Sequence, residues 1–212
     1  NYDDAIHSFC HCLPNTWHLM SVMLSCTSNI NWFINTFDSS INEITNYLKD
    51  SMSSDALMKN SPYYLPYLTG ERTPLNDPHV RASFHNMGIE TDRKTLVFSL
   101  IEGISFGLYD NYQALSKTGI ELNNLFVIGG GSKNKDWIEL LASILDRDLA
   151  ITEASDAMAA YGAARLAYLG YNNLKHQDVL KSPSVKEIIK KNNNKKSMLQ
   201  DRFVEWKKYY VN

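Results

Sequence analysis

Gly129, Gly130 and Gly131 stand in a row, after the apolar run Leu125-Phe126-Val127-Ile128 and before Ser132-Lys133-Asn134-Lys135-Asp136-Trp137. Three glycines let the backbone take positive φ and leave no Cβ between the chain and a ligand. A helix starting behind them aims unpaired N–H groups and a partial positive charge at the same spot. The chemistry this suits is the cradling of a nucleotide. It is not a P-loop, because no Gly-Lys-Ser/Thr closes it, and not the dinucleotide fingerprint, because the third glycine is missing at the required distance. On these residues alone, a strand-to-helix turn that merely needs glycine remains an equal alternative.

The elements that position this turn follow from its flanks. The four apolar residues before it predict a buried strand. Trp137, Leu140, Leu141, Ile144 and Leu145 recur at helical spacing after it. A short strand at Leu149-Ala150-Ile151 comes next. Ser155 and Asp156 then open an alanine-rich helix, Ala157 to Leu169, which Gly170 closes and whose small residues permit close packing against the glycine turn. Upstream, Thr91 is placed to cap a helix running to about Ser116, with Leu96, Leu100, Ile104, Leu108, Tyr112 and Leu115 on its stripe and Gly119 as its stop. Gly103 and Gly107 lie one turn apart on it. Each costs a helix ~1 kcal/mol relative to alanine, which predicts another backbone packed close there. Glu102 beside them reads as a cleft residue or a solvated one.

The first part of the chain reads as a hairpin followed by helices. Ala5 to Cys12 gives one strand, Pro14-Asn15 a turn, and Trp17-His18-Leu19-Met20 the return strand. A helix from about Ser25 to Thr36 buries Ile30, Phe33, Ile34 and Phe37 on one side. A second, Ser40 to Leu48, carries Ile41, Ile44 and Leu48 on one face, with Ser40 and Glu43 spaced as a capping box. Residues 49–61 are polar and serine-rich, a loop. Tyr63 to Leu68 is an apolar strand that Pro66 puts at an edge or ends early. Thr69 to Pro78 is a rigid proline loop, read either as a cleft wall or as a connector held by Glu71 paired with Arg72 or Arg81.

Composition narrows the class. With 212 residues and 44% apolar content the chain can bury a real core. The run Leu19 to Leu24 is far short of the ~20 residues a membrane span needs, and no signal peptide is read. Residues 1–170 carry 11 basic and 19 acidic side chains, whereas 171–212 carry 10 and 4. The basic tail lacks interleaved aromatics around Lys190, Lys191, Lys195 and Lys196, so it reads as a solvated linker rather than a nucleic-acid contact. A last amphipathic helix, about Met198 to Tyr210, offers Phe203, Trp206 and Tyr210 as anchors. Cys10, Cys12 and Cys26 cannot all pair and read as reduced cytosolic thiols. His7, Cys10, His11 and Cys12 crowd together without a second ligand cluster, so no metal site is expected. The chain opens at Asn1 and enters its first strand almost at once, as a piece of something longer would.

Taken in order, these stretches resemble the C-terminal domain of the FGGY carbohydrate kinases, most closely the xylulokinases. The resemblance runs over about residues 5–170. It rests on His7-Ser8-Phe9-Cys10-His11 with Leu13-Pro14 and Trp17-His18-Leu19-Met20. Leu65-Pro66-Tyr67-Leu68, Gly70-Glu71-Arg72-Thr73-Pro74 and Asn76-Asp77-Pro78 add to it, as do Glu102-Gly103, the three glycines and Gly162-Ala163-Ala164. It departs from the pattern at Ala82 and Asn86, in the stretch after Arg81, and at Met158.

The resemblance implies an α/β, ribonuclease-H-like (actin-like ATPase) domain, a mixed sheet flanked by helices. It implies a first domain at 1–170 on the ATP side of the cleft, with 171–212 as linker and a helix packing on it. The cofactors implied are ATP and Mg²⁺. The cofactor-binding residues implied are Gly129, Gly130, Gly131, Asn134 and Asn31: Gly130 and Gly131 would approach the α-phosphate and ribose, Asn134 the adenine, and Asn31, before Trp32, the nucleotide. The family's general base, an aspartate, falls upstream of this chain, and Asp77, Asp92 and Asp156 sit at other motif positions. The implied reaction is transfer of the ATP γ-phosphoryl to D-xylulose by the full-length cytoplasmic protein, the isolated chain being inactive. The alternatives are another FGGY kinase acting on gluconate, ribulose or fuculose, or a non-catalytic nucleotide-binding module. The partners expected are ATP, a ketopentose and the N-terminal domain of the same protein, with a homodimer left open and neither nucleic acid nor membrane.

Overall fold

The computed structural model of the chain describes residues 5–153 and 155–210. Residues 1–4, with which the first expected domain begins, and 211–212, with which the second ends, lie outside the described residues. β1 (His7–Cys10) and β2 (Trp17–Met20) form the expected antiparallel hairpin, His7 opposite Met20 and Cys10 opposite Trp17. Cys10, Cys12 and Cys26 are free thiols. α1 (Ser28–Phe37) buries Ile30 and Phe33 and stops at Asp38, which turns left-handed at φ 48°. α2 (Ile41–Met52) begins at Ser40, whose hydroxyl accepts from the Glu43 N–H. The Glu43 carboxylate accepts from Ser39 Oγ at 2.6 Å instead of turning back to Ser40, so the expected capping box is half formed.

Residues 49–61 are not a loop. α2 continues to Met52, and α3 (Asp55–Asn60) follows at once. The serines that suggested a loop serve the helices: Ser51 Oγ donates to Tyr47 O, and Ser54 Oγ accepts from the Leu57 N–H as a cap. β3 (Tyr63–Leu65) ends at Pro66 and pairs antiparallel with β4 (Ser83–His85), which settles the conformation after Arg81.

The proline loop between β3 and β4 is a clamp, and its expected ion pair does not form. Glu71 is buried, and its Oε1 accepts from the Leu24 N–H (3.0 Å) and the Arg72 N–H (2.7 Å), while Arg81 donates to Pro78 O and Val80 O. Thr73 Oγ1 donates to Ala5 O and accepts from the Val22 N–H. A buried carboxylate needs donors, and the backbone amides of Leu24, on the chain leaving β2, and of Arg72, in the loop itself, supply them without desolvating a second charge. Burial pushes the Glu71 carboxyl up, against the pull of those two amides.

α4 (Arg93–Ser116) is capped by Asp92, not Thr91, in a box with Thr95; the Thr91 hydroxyl accepts from the Gly88 N–H. It is buried almost continuously from Val97 to Gly107. Of the two glycines, Gly103 meets the close-packed backbone that their spacing predicts, whereas Gly107 meets the side chains of Met23 and Pro66 instead. A Cβ on Gly103 would lie 2.2 Å from Tyr64 O, and one on Gly107 2.9 Å from Met23 Cε. Glu102 is neither in a cleft nor solvated: it is buried, with both carboxylate oxygens 2.6 Å from Arg202 nitrogens.

β5 (Phe126–Val127) is shorter than the expected strand, and it is not buried: Phe126 is 41% and Ile128 54% exposed. It lies at the edge of a sheet of order β5-β6-β7, in which α5 (Lys135–Leu145) covers one face through Ile138, Leu141 and Ala142. β5 is parallel to β6 (Leu149–Thr152). α6 (Met158–Tyr171) has no buried residue, and a Cβ on Gly162 would meet nothing within 4 Å, so its small residues do not pack on the glycine turn.

The stretch read as a linker holds α7 (His176–Val179) and β7 (Val185–Ile189), which pairs antiparallel with β6. Its lysines are not merely solvated: Lys191 and Lys196 reach Asp146 at 2.6 and 2.7 Å, and Lys190 reaches Asp148 at 2.7 Å. α8 (Lys196–Lys208) then brings Leu199, Arg202, Phe203 and Trp206 inward, Trp206 Nε1 donating to Tyr64 O at 2.8 Å.

Two outcomes follow from these contacts. Gly103→Ala forces α4 off a backbone carbonyl and should cost about 1–3 kcal/mol, whereas Gly162→Ala should stabilise by about 0.4–1 kcal/mol, both read by urea unfolding. Equal effects would deny the Gly103 contact. Glu71 has its folded-state pKa raised above 4.5, so its contribution to stability is present below pH 4.5 and is lost as pH rises through the folded value. The stability of Glu71→Gln relative to the parent should therefore increase from pH 4.5 upward. A flat difference, or one that grows on acidification, would contradict this.

Candidate functional site

The three glycines meet three different demands. Gly129 sits at φ 88°, ψ −178°, a region essentially closed to residues with a Cβ. Its N–H donates to Ser155 O at 2.8 Å, and its carbonyl accepts from the Ser132 N–H and Oγ. Ser132 Oγ also meets Ser155 Oγ at 2.7 Å, tying the turn to the segment before α6. Gly131 leaves room for an indole, since a Cβ there would lie 2.9 Å from Trp137 Cζ3. Gly130 has no positive φ, and a Cβ on it would meet nothing within 4 Å. The fold explains glycine at 129 and 131 but not at 130.

The turn does not feed straight into a helix N-terminus as the sequence predicts. A 3₁₀ turn, Gly130–Lys133, intervenes, and α5 begins only at Lys135. Asn134 Oδ1 accepts from the Trp137 N–H at 3.1 Å, so α5 is capped by its own preceding residue. The reason is local: Asn134 is extended (φ −93°, ψ 97°), which ends the 3₁₀ turn and points its amide at the new helix.

Beside the turn lies a cavity of about 390 Å³. α1 lends it Ile30 and Asn31, α2 lends Ile41, Ile44 and Thr45, and Trp137 and Ile101 close it below the glycines. Trp137 is fixed by its Nε1, which donates to Ser105 Oγ at 3.0 Å. The structure thus brings Asn31, Gly130, Gly131 and Asn134 to one cavity, while Gly129 does not line it and shapes the turn behind it. Thr45 and Lys133 also line it and were not singled out by the sequence, while Ile41, read only as part of a helix's apolar face, lines it too and is 56% exposed. The spacing of Ile41, Ile44 and Thr45 carries the signal, since i, i+3 and i+4 share a face, but that stripe reads as core until the cavity is seen. Lys133 pairs with Asp156 at 2.8 Å and holds its carboxyl below the usual carboxylate range. Among the described residues no aspartate or glutamate lines the cavity. Among the described residues no group of three His, Cys, Asp or Glu side chains could hold a metal.

Residues 1–171 match the model of the FGGY family of carbohydrate kinases, C-terminal domain. The chain belongs to this family. The xylulose kinase of Escherichia coli (strain K12) is 34% identical over 170 residues, which are 80% of this chain and 34% of that protein. A solved xyloylose kinase from Brucella ovis superposes with a TM-score of 0.87 at 32% identity, covering 99% of this chain and 42% of that one. The Plasmodium falciparum glycerol kinase solved with ADP shares the fold at a TM-score of 0.75 and 22% identity, over 92% of this chain and 39% of its own. The chain spans less than half the length of each of these FGGY kinases, and its fold is their actin-like one.

The division among the glycines can be measured directly. Gly129→Ala should lose about 1–3 kcal/mol of stability from backbone strain, whereas Gly130→Ala should unfold within about 0.5 kcal/mol of the parent. Comparable losses at both positions would show that the fold demands glycine at 130 as well.

Proposed function

We propose that this chain is the nucleotide-side part of an ATP-dependent sugar kinase whose full-length protein transfers the γ-phosphoryl of ATP to D-xylulose, giving D-xylulose 5-phosphate. The observation that carries the reading is Gly130, a glycine that the fold does not require, on the wall of a cavity also lined by Asn31, Gly131 and Asn134. Ile30, Ile41, Ile44 and Trp137 give apolar surface for a planar base. Asn134 and Asn31 offer amides to it, and the backbone at Gly130 and Gly131 is bare for a ribose or phosphate to approach. The relatives named xylulose kinase support the sugar, and the glycerol kinase solved with ADP supports the nucleotide.

Bound ATP would supply the phosphoryl group, and the part this chain plays is to bind and orient it. The described residues do not fit a protein-held Mg²⁺, because none of their carboxylates lines the cavity and Asp156 is engaged by Lys133. Nor does the cavity offer a carboxylate to take the proton of a sugar hydroxyl. A positioned general base contributes ~10²- to 10⁴-fold, and alignment of the two substrates adds more. The chain therefore needs the N-terminal domain that the resemblance implies. We place the nucleotide-side domain at 1–170, with 171–212 packed on it, in a cytoplasmic protein.

A coupled ADP-release assay tests this on the chain and on the full-length protein in parallel. The chain alone should show no sugar-dependent turnover, and the full-length protein should turn over D-xylulose in preference to glycerol, gluconate and L-fuculose. Gly130→Val should keep the fold and abolish ATP binding, since its branched side chain enters the cavity. Parental ATP affinity in Gly130→Val would overturn the nucleotide reading. A full-length enzyme indifferent to D-xylulose would overturn only the sugar.

A further inference from the structure

The cavity has one polar corner whose hydrogen-bonding sense is already set. Asn134 Oδ1 accepts from the Trp137 N–H at 3.1 Å, so the amide cannot flip without uncapping α5. Its Nδ2 therefore points into the site and approaches Thr45 Oγ1 at 3.4 Å. The Thr45 hydroxyl in turn spends its one hydrogen on Ile41 O, at 2.9 Å. A hydroxyl has one donor and two lone pairs, and a side-chain amide nitrogen has two hydrogens. After these bonds are counted, the corner holds one free donor, the second hydrogen of Asn134 Nδ2, beside one free acceptor, the second lone pair of Thr45 Oγ1. Asn31, from α1, has no side-chain bond among the described residues to fix it in this way.

Adenine carries the complement of that pair, an exocyclic amino donor next to a ring-nitrogen acceptor, whereas a 6-oxo purine carries an acceptor at the exocyclic position. We infer that Thr45 is a specificity-determining residue of this site, its hydroxyl oxygen accepting from the 6-amino group of adenine while Asn134 Nδ2 donates to the neighbouring ring nitrogen. This rests on the nucleotide reading above and adds to it the basis of base selection. Thr45 can do this because it is held on α2 with its hydrogen turned back into the helix, leaving an acceptor facing the base. A 6-oxo purine would set two acceptors against each other or force the hydroxyl to abandon Ile41 O.

The test compares three triphosphates, ATP, inosine triphosphate and purine riboside triphosphate, which differ at position 6 by an amino group, an oxygen and a hydrogen. Their affinities are measured by isothermal titration calorimetry on the chain and on Thr45→Val and Thr45→Ser, with thermal melting as the check on folding. The parent should favour ATP over purine riboside triphosphate by about 3- to 10-fold and over inosine triphosphate by about 10- to 100-fold, as expected for one bond lost and for one acceptor left opposed. Thr45→Val should bring the three affinities within about 2-fold of one another, and Thr45→Ser should keep the parental order. A Thr45→Val variant that weakens all three equally, or that leaves the parental ratios intact, would overturn the assignment and make Thr45 a wall residue. Failure of the unaltered chain to bind any of the three would overturn the nucleotide reading itself.

Discussion

The buried pair Glu102–Arg202 is the interaction on which the rest of the structure depends. Its two ends are a hundred residues apart, on α4 and α8, and both are almost fully shielded from water. Two charges in such a place are stabilising only if every hydrogen-bonding position is filled. Arg202 is met on all three of its nitrogens: Nε and one terminal nitrogen hold Glu102, and its terminal nitrogens also donate to Lys59 O, Ser61 O and Pro62 O. Those carbonyls belong to the last turn of α3 and the residues between it and β3, so one guanidinium fastens three parts of the chain. Burial pushes the Glu102 carboxyl up, against the pull of Arg202. Removing one member of such a pair leaves the other charge uncompensated, at a typical cost of about 3–5 kcal/mol. Arg202 lies beyond residues 1–171 that match the family, yet its carboxylate partner lies within them. α8 is therefore part of the same core.

That anchor decides where α4 runs, and α4 decides where the cavity lies. With Glu102 held, the next residue, Gly103, sits against the carbonyl of Tyr64, a contact that excludes even a methyl group. Trp206 donates to the same carbonyl. α4 is thereby fixed between β3 and α8, and its opposite face offers Ile101 to the cavity and Ser105 to the indole of Trp137. Trp137 in turn occupies the space that Gly131 leaves open. A chain of close contacts thus runs from the ion pair to the glycine turn, each link a residue whose size is dictated by its neighbour.

How much of this could be read beforehand depended on the range of the interaction. The hairpin, the long helix α4, the backbone packed against its Gly103 and the gathering of Asn31, Gly130, Gly131 and Asn134 were legible, because each follows from periodicity, from the missing Cβ or from the family resemblance. The residues 49–61 were misread because serine marks loops and also caps helices, and only the burial of Met52 and Met58 separates the two. Glu102 and Glu71 were misread for a different reason. A carboxylate is assigned to a cleft, to solvent or to a neighbouring arginine until its donors are known, and those of Glu102 arrive from residue 202 while one of those of Glu71 is the Leu24 amide. β7 was hidden in a lysine-rich tail whose partners, Asp146 and Asp148, are more than forty residues away.

The cavity shows the same logic at the level of function. Its walls come from α1, α2, α4 and α5, elements whose other faces are locked in the core, so its shape is set before any ligand arrives. A preformed site avoids the entropy of ordering side chains on binding, which costs about 0.5–1.5 kcal/mol for each flexible side chain immobilised. Asn134 carries this furthest, because the carbonyl oxygen that caps α5 fixes which face of the same amide the cavity sees. A residue that caps a helix and a residue whose amide lines the cavity are here one side chain. The orientation of the contact group is thereby held by the stability of the helix, and a change that weakens the cap also changes what the cavity offers.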